Sequence, residues 1–442
     1  MLKQKSHRQY LAKNLYADNS AYANGNTLLL GAPGSGKTTN YIIPSILNDS
    51  TTDTSLVISD CKQSLYKMLK THLEVKGYKV VLIDFKNPEQ SNSYNPLDFI
   101  QRNTTLKTEN GKKIKETHYR EQDYMVLANL LISENLESED KFWLESSRYV
   151  LVSLMSYCAE MLKPEDLHFG SVAEVFRIMN GQVNEFQKGH ISDISIFSEL
   201  KAISPDSFAL KKYEQFKNIF DSERTYGCIS MFLADCLDFF DHSECANMFC
   251  KESSIRLSDI GKEKTALFVN VDDTSKSMEK MQSILFTQLF QSLVREADKT
   301  VNGVLPNKVH FLLDDFCSSH IEDFDVMINT MRSRGISCSI ALQSMTQLES
   351  KYNRAEAINI MDAMDTMLFY GCNDIATAQA VSIRANRPIE DILNLPLNKL
   401  YIFQRGHQPI QTNKLGPNEI DEMIKNIQVE NNYRNKNKEP EL

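Results

Sequence analysis

Eight consecutive residues, Gly31-Ala32-Pro33-Gly34-Ser35-Gly36-Lys37-Thr38, combine three glycines with a lysine and a hydroxyl. Glycine tolerates positive φ, so such a loop can curl until successive backbone N–H groups converge on one point. Converging N–H groups bind oxyanions. The lysine adds a point charge for β- and γ-phosphates, and Thr38 offers its hydroxyl to Mg2+. The GxxxxGK[ST] spacing has the right context. Residues 27–30 (TLLL) read as a strand, and the residues after the loop as a helix whose N-terminal dipole favours anions. The expected nucleotide-binding residues are therefore Gly31 to Thr38, followed by Thr39. Thr38 is expected to hold metal as well, with ATP and Mg2+ as the implied ligands.

Such a loop needs a carboxylate to hold the metal and to activate water. Four apolar runs end in acid, at Asp60, Asp84, Asp272-Asp273 and Asp314-Asp315. A strand with a polar end is common, so no one of these decides the matter alone. HFLLDDF is the best candidate, because it puts two adjacent acids at a strand's carboxyl end, where open α/β sheets bind ligands. Asp314 is expected to bind Mg2+ through water, and Asp315 to polarise the attacking water. Downstream, Arg332-Ser333-Arg334-Gly335 leads into ISCSIAL, which ends at Gln343. An arginine near a subunit boundary can stabilise charge in a neighbour's transition state, and a glutamine at a strand end can sense the γ-phosphate. By themselves these residues also read as a basic surface turn and a polar strand end.

The elements that would position these groups alternate. Runs at 27–30, 56–59 and 80–83 are apolar on successive positions, as in parallel strands buried on both faces. Residues 64–76 between them have helical spacing, with Gly77 as the stop. From about 101 to 264 strand-like runs largely vanish. A polar loop containing Asn110-Gly111 leads into helical segments at 121–134, 141–162, 170–180, 206–221 and 224–241. Strand runs resume at 266–271, 309–313, 336–342, 366–370 and 400–403. The expected fold is α/β, a P-loop domain with a mainly parallel central sheet interrupted by an all-helical insertion; the resemblance given below makes it a RecA-like P-loop NTPase. The boundaries expected are 1–25 for an N-terminal segment, 26–105 and 261–415 for the nucleotide-binding domain, 106–260 for the insertion, and 416–442 for a C-terminal helix and polar tail.

The 442 residues exceed one ordinary core. At 42% hydrophobic and 24% charged the chain is globular. A net charge of -9 excludes a strongly basic surface overall, so any nucleic acid must be met by local rings or loops. The candidate cations are Lys276, Lys280, Arg332 and Arg334, against the plainer reading of solvated surface charge. Nine cysteines without a CxxC spacing fit reduced thiols in a cytoplasmic protein. The longest apolar stretch, 149–162, is short for a bilayer and holds Glu160, so it reads as a buried helix with no membrane anchor.

With these residues in place, the chain resembles the TraG/TraD-type coupling proteins of type IV secretion and conjugation, hexameric RecA-like ATPases related to the FtsK/HerA translocases. The likeness runs in order from about 26 to 415. Ile43-Pro44 follows the loop, and Ser59-Asp60-Cys61-Lys62 stands where the family has DPKGE. Ser93-Tyr94-Asn95-Pro96-Leu97 matches YNPLD, and Phe142-Trp143 lies in the insertion. Leu313-Asp314-Asp315-Phe316 resembles LDEF. Arg332 with Gly335-Ile336, Gln343 with Gln347-Leu348 and Tyr352, and Asn373-Asp374 with Thr377-Ala378 follow the later family segments.

The resemblance implies a motor that recruits relaxase-bound single-stranded DNA, or a protein substrate, to the channel components of a secretion system. The insertion would dock substrate. Arg332 would act as a finger in trans and Gln343 as a sensor. A homo-hexamer is implied on assembly, with a monomer expected in dilute solution. The family's N-terminal transmembrane helices have no counterpart in this sequence: either the sequence is a shortened form, or a membrane-anchoring partner would hold the protein peripherally at the cytoplasmic face of the membrane. Asp315 replaces the family's Glu and is one methylene shorter. DPKGE has lost its Glu. Lys62 is retained and is expected to touch phosphate or hold Asp60 in place, which puts Asp60 and Lys62 among the nucleotide-binding candidates. The substitutions leave room for an alternative, an ATP-binding adaptor that selects substrate with little hydrolysis. A small-molecule kinase is disfavoured by the late acidic strand and the long insertion.

Overall fold

The computed structural model describes residues 8–17, 24–109, 112–132, 141–271, 278–318 and 320–437, without the side chains of 103–118, 430 and 432–437. The strands, in chain order, are β1 (Tyr10–Ala12), β2 (Leu15–Tyr16), β3 (Thr27–Leu30), β4 (Ser55–Ser59), β5 (Lys79–Asp84), β6 (Arg102–Glu109) and β7 (Lys112–Tyr119). They continue with β8 (Thr265–Asn270), β9 (Val309–Leu313), β10 (Ile336–Leu342), β11 (Thr366–Phe369), β12 (Lys399–Gln404) and β13 (Ile410–Asn413). The chain divides into two compact units, Met1–Lys86 with Leu257–Leu442, and Asn87–Arg256.

The first unit is built on a nine-stranded sheet of order β13-β12-β11-β3-β10-β9-β4-β8-β5. From β11 to β5 every pairing is parallel, and β12 and β13 close one edge antiparallel. All residues of β3, β4, β8 and β9 are buried, as continuous apolar runs in a parallel sheet require. β10 lies between β3 and β9, in register Ile340↔Leu28 and Ile340↔Leu313. The carboxyl ends of these three strands therefore lie side by side. A buried polar chain braces the same strands lower down. His310 on β9 contacts Asp49 through Nδ1 (2.6 Å) and the Ser339 hydroxyl on β10 through Nε2 (2.8 Å), and Tyr41 reaches that hydroxyl at 2.9 Å.

The second unit is mostly helical. Its central helix, Lys141–Met161, buries Val150, Leu151, Val152, Leu154, Met155 and Cys158, so the apolar stretch forms a core helix. Around it lie Glu121–Leu131, Phe169–Gln187, Phe208–Phe216 and Glu223–Asp238, with stacked rings at Phe197–Tyr213 (4.0 Å) and Phe169–Phe240 (4.5 Å). The YNPLD-like segment is tied to two other stretches of the unit. Asn95 Nδ2 donates to the Leu167 carbonyl at 2.7 Å, and the Ser253 N–H donates to Asp98 at 2.9 Å. Among the described residues, no helix is long and apolar enough to cross a membrane.

Two expectations need correction. The insertion is not wholly helical, because β6 and β7 form an antiparallel hairpin in register Arg102↔Tyr119 to Glu109↔Lys112. Its strands, RNTTLKTE and KKIKETHY, are rich in Thr and Lys and have few apolar residues, so an apolar period-2 signal was absent. The units also divide after Lys86 and Arg256, not at 105 and 260. Asp272-Asp273, Lys276 and Asn110-Gly111 lie outside the described residues.

Candidate functional site

The loop after β3 is fastened to both neighbouring strands. The Gly31 N–H donates to the Leu342 carbonyl at the end of β10 (3.1 Å), and the Ala32 N–H to the Gly371 carbonyl beyond β11 (2.9 Å). Gly34 and Gly36 adopt φ of 73° and 91°. At Gly36 a Cβ would also lie 2.7 Å from the Asn40 amide, so this position requires glycine twice over. The helix that follows opens with a wide turn, Thr38–Ile42, closed by the Ile43 N–H on the Thr38 carbonyl, before Ile43–Asp49. Pro44 explains it, since it has no N–H to offer the normal helical ladder.

Lys37 is buried, and its ammonium donates to the carbonyls of Gly31 (2.6 Å) and Ala32 (3.3 Å). Burial lowers its pKa, against the opposing pull of Asp314 and Asp315. The Thr38 hydroxyl donates to Asp314 Oδ2 at 2.6 Å. Asp314 is fixed from its other side, where the Ser59 hydroxyl donates to its carbonyl at 2.7 Å. Burial raises the Asp314 pKa and Asp315 adds to the rise, while the Thr38 bond and Lys37 counter it. Asp315 follows at φ 50°, a left-handed conformation that aspartate tolerates better than most residues. Behind this turn Phe316 stacks on Tyr352 (5.6 Å), and the Tyr352 hydroxyl accepts from the Ile321 N–H at 3.0 Å.

Gln343 immediately follows β10, so it stands between the loop and the two acids. It is exposed, and its N–H is held by the Gln347 side chain at 2.9 Å. Next to it, Asp374 accepts from Thr346 and Thr377, and Thr377 accepts from the Met345 N–H at 3.0 Å, tying the ends of β10 and β11 together.

Other candidates lie differently. Asp60 accepts from the N–H groups of Lys62 (3.3 Å) and Tyr66 (3.0 Å), so its carboxylate caps the helix Ser64–Val75. Lys62 is exposed. Arg332 is exposed at the amino end of β10, about 20 Å of strand from the loop at ~3.3 Å per residue. From there it cannot reach phosphate on its own chain. Its neighbour Arg334 is tied to Asp298 at 3.1 Å. Asp84 is an anchor too, since its carboxylate accepts from Gln63 and from Asn270 (2.6 Å).

The sequence reading missed Lys414, Asn40 and Ser59. Lys414 donates to the Ser35 carbonyl at 2.9 Å, Asn40 to the Gly36 carbonyl at 3.0 Å, and Ser59 reaches Asp314. No motif marks Lys414 or Asn40, and Ser59 was visible only as the first residue of the DPKGE-like segment. Only strand order brings 414 to 35.

Thr38 and Asp314 are hard oxygen donors in contact, which suits Mg2+. Among the described residues no cluster of three or more His, Cys, Asp or Glu could hold a metal alone. Mg2+ typically takes one or two protein ligands and completes its shell with phosphate and water.

Comparison with known proteins bears on family and fold. A family described as Type IV secretory system Conjugative DNA transfer matches residues 1–385. No curated protein matches the chain in sequence. Among solved structures, the bacterial conjugative coupling protein TrwB lacking its first 70 residues is similar, with a TM-score of 0.65 at 14% identity, covering 93% of this chain and 89% of that one. Plasmid coupling protein TrwB with ADP and Mg2+ gives 0.63 at 14%, covering 93% and 90%. VirB4 of Thermoanaerobacter pseudethanolicus gives 0.56 at 13%, covering 89% and 90%. At these identities the likeness is one of fold.

Proposed function

The chain belongs to the type IV secretory system conjugative DNA transfer family, and on that premise we propose that it is the ATP-hydrolysing coupling protein of such a system. The observation that carries the reading is the Thr38–Asp314 contact at 2.6 Å beside the buried Lys37 ammonium. That TrwB has been solved with ADP and Mg2+ supports the same ligands here.

In this reading the loop 31–38 and Thr39 receive the phosphates. Lys37 exchanges the Gly31 and Ala32 carbonyls for β- and γ-phosphate oxygens. Thr38 and Asp314 hold Mg2+, which when bound supplies charge neutralisation at the phosphates. Asp315 orients the attacking water and accepts its proton. Gln343 reports on the γ-phosphate from between the two. Asp60 and Lys62 act indirectly, by setting the turn beyond β4. Arg332 serves the site of an adjacent copy, which calls for a homo-hexamer when the motor assembles and permits a monomer in dilute solution.

The substrate is relaxase-bound single-stranded DNA, handed to the channel components from the cytoplasmic face of the membrane, with an anchoring partner holding the protein there. Conjugal transfer tests this. Donor cells deprived of the protein should regain transfer with the wild-type chain and not with Lys37→Ala. Equal rescue by both would reject an ATP-driven role.

A further inference from the structure

The C-terminal segment reaches back to the phosphate loop. Lys414 follows β13, and its ammonium is buried, donating to the carbonyls of Ser35 (2.9 Å) and Tyr370 (3.3 Å) above the Tyr370 ring. The next residue repeats the contact one position on. The Leu415 N–H donates to Asn40 Oδ1 at 2.7 Å, and Asn40 Nδ2 donates to the Gly36 carbonyl at 3.0 Å. Two adjacent residues thus hold two adjacent carbonyls of the loop, one directly and one through Asn40.

Both ends of this strap are fixed. The Lys414 N–H donates to the Asn398 carbonyl at 2.8 Å, next to the Lys399↔Asn413 pair of β12 and β13. Beyond it, Glu419 accepts from the Gly416 N–H (2.9 Å) and pairs with Lys13 (2.7 Å). In the helix Pro417–Asn437, Ile427 is buried and Asn431 donates to the Met68 carbonyl at 3.0 Å.

A buried ammonium is costly, and a second one beside Lys37 more so. Packing alone would be served by an apolar side chain. What compensates two cations on one loop is a polyanion. We propose that Lys414 is a positioning residue for nucleotide binding, holding the Ser35–Gly36 turn in its phosphate-receiving shape and adding positive charge behind it. The inference rests on the ATP reading above and extends it to a residue outside the loop.

The test is the affinity of the full chain for a fluorescent ATP analogue with Mg2+, alongside the melting temperature without nucleotide. Lys414→Met should weaken binding about tenfold, the scale of one charge-assisted hydrogen bond. Lys414→Arg, which keeps the charge, should restore most of it. If the Met variant does not fold, Lys414→Gln carries the same expectation. Wild-type affinity in the Met or Gln variant overturns the proposal, as does equal weakening in Arg and Met, which would make the role one of packing. Failure of the ATP reading itself looks different, because the wild-type chain would then bind no better than Lys37→Ala.

Discussion

The Thr38 hydroxyl and the Asp314 carboxylate meet at 2.6 Å across 276 positions of sequence and one intervening strand. Neither β3 nor β9 pairs with the other, so the contact exists only because β10 spaces them. On the present account this pair is the metal site. Asp314→Asn should lower ATP turnover by about a hundredfold or more, since a catalytic metal contributes several kcal/mol. Titration of Mg2+ against turnover should show the loss of affinity. An unchanged Mg2+ dependence would move the metal elsewhere.

Asp315 distinguishes a motor from an adaptor. Asp315→Ala should cost about 10²- to 10⁴-fold in turnover if the residue acts on the attacking water. Asp315→Glu, one methylene longer, should stay active. A wild-type chain that is nearly inert and is awakened by Asp315→Glu would favour the adaptor.

Arg332 lies at the wrong end of its own sheet to act in cis. Arg332→Ala and Lys37→Ala should each be inactive under assembling conditions, by about 10³-fold or more for the finger. Mixed together they should regain part of the turnover, because a mixed ring restores intact composite sites. No recovery on mixing would contradict action in trans.

The pH dependence of ATP binding follows from Lys414. Burial, and then the like charge of Lys37, bring its ammonium down to about 8. The groups facing it are Lys37 and the Tyr370 phenol, which burial keeps neutral far into alkali. Below pH 8 the amine is charged in both states. Above it the free protein loses the proton, whereas a bound triphosphate favours its retention, so binding takes up a proton. Affinity should therefore be complete below about pH 8 and decline above it. Lys37, also lowered by burial, acts in the same direction. Lys414→Arg should shift the decline to higher pH, and calorimetry in buffers of different ionisation heat would reveal the proton uptake. An unshifted curve would assign the decline to Lys37 alone.

Much of this site was legible because parallel strands write themselves plainly. Runs at 27–30, 309–313 and 336–342 are β3, β9 and β10 to the residue, since burial on both faces favours mostly apolar runs. The loop and Asp314-Asp315 follow from them. What escaped detection was polar. β13 (IQTN) is an edge strand whose residues are largely exposed, and it carries Lys414 to the loop. The β6–β7 hairpin is rich in Thr and Lys. Asp60 was readable as an acid at a strand end, but its choice of the Tyr66 N–H over a ligand is a matter of local turn geometry. Arg332 was placed just ahead of the strand 336–342, and only the sheet shows that it lies at the opposite end from the phosphate loop.

The most direct test of the central claim is steady-state ATP turnover of the purified chain with and without single-stranded DNA, with Lys37→Ala alongside. A coupling motor predicts marked stimulation by DNA, screened by salt as phosphate contacts are, and abolished by the mutation. Turnover that is slow, indifferent to DNA and equal in Lys37→Ala would contradict it.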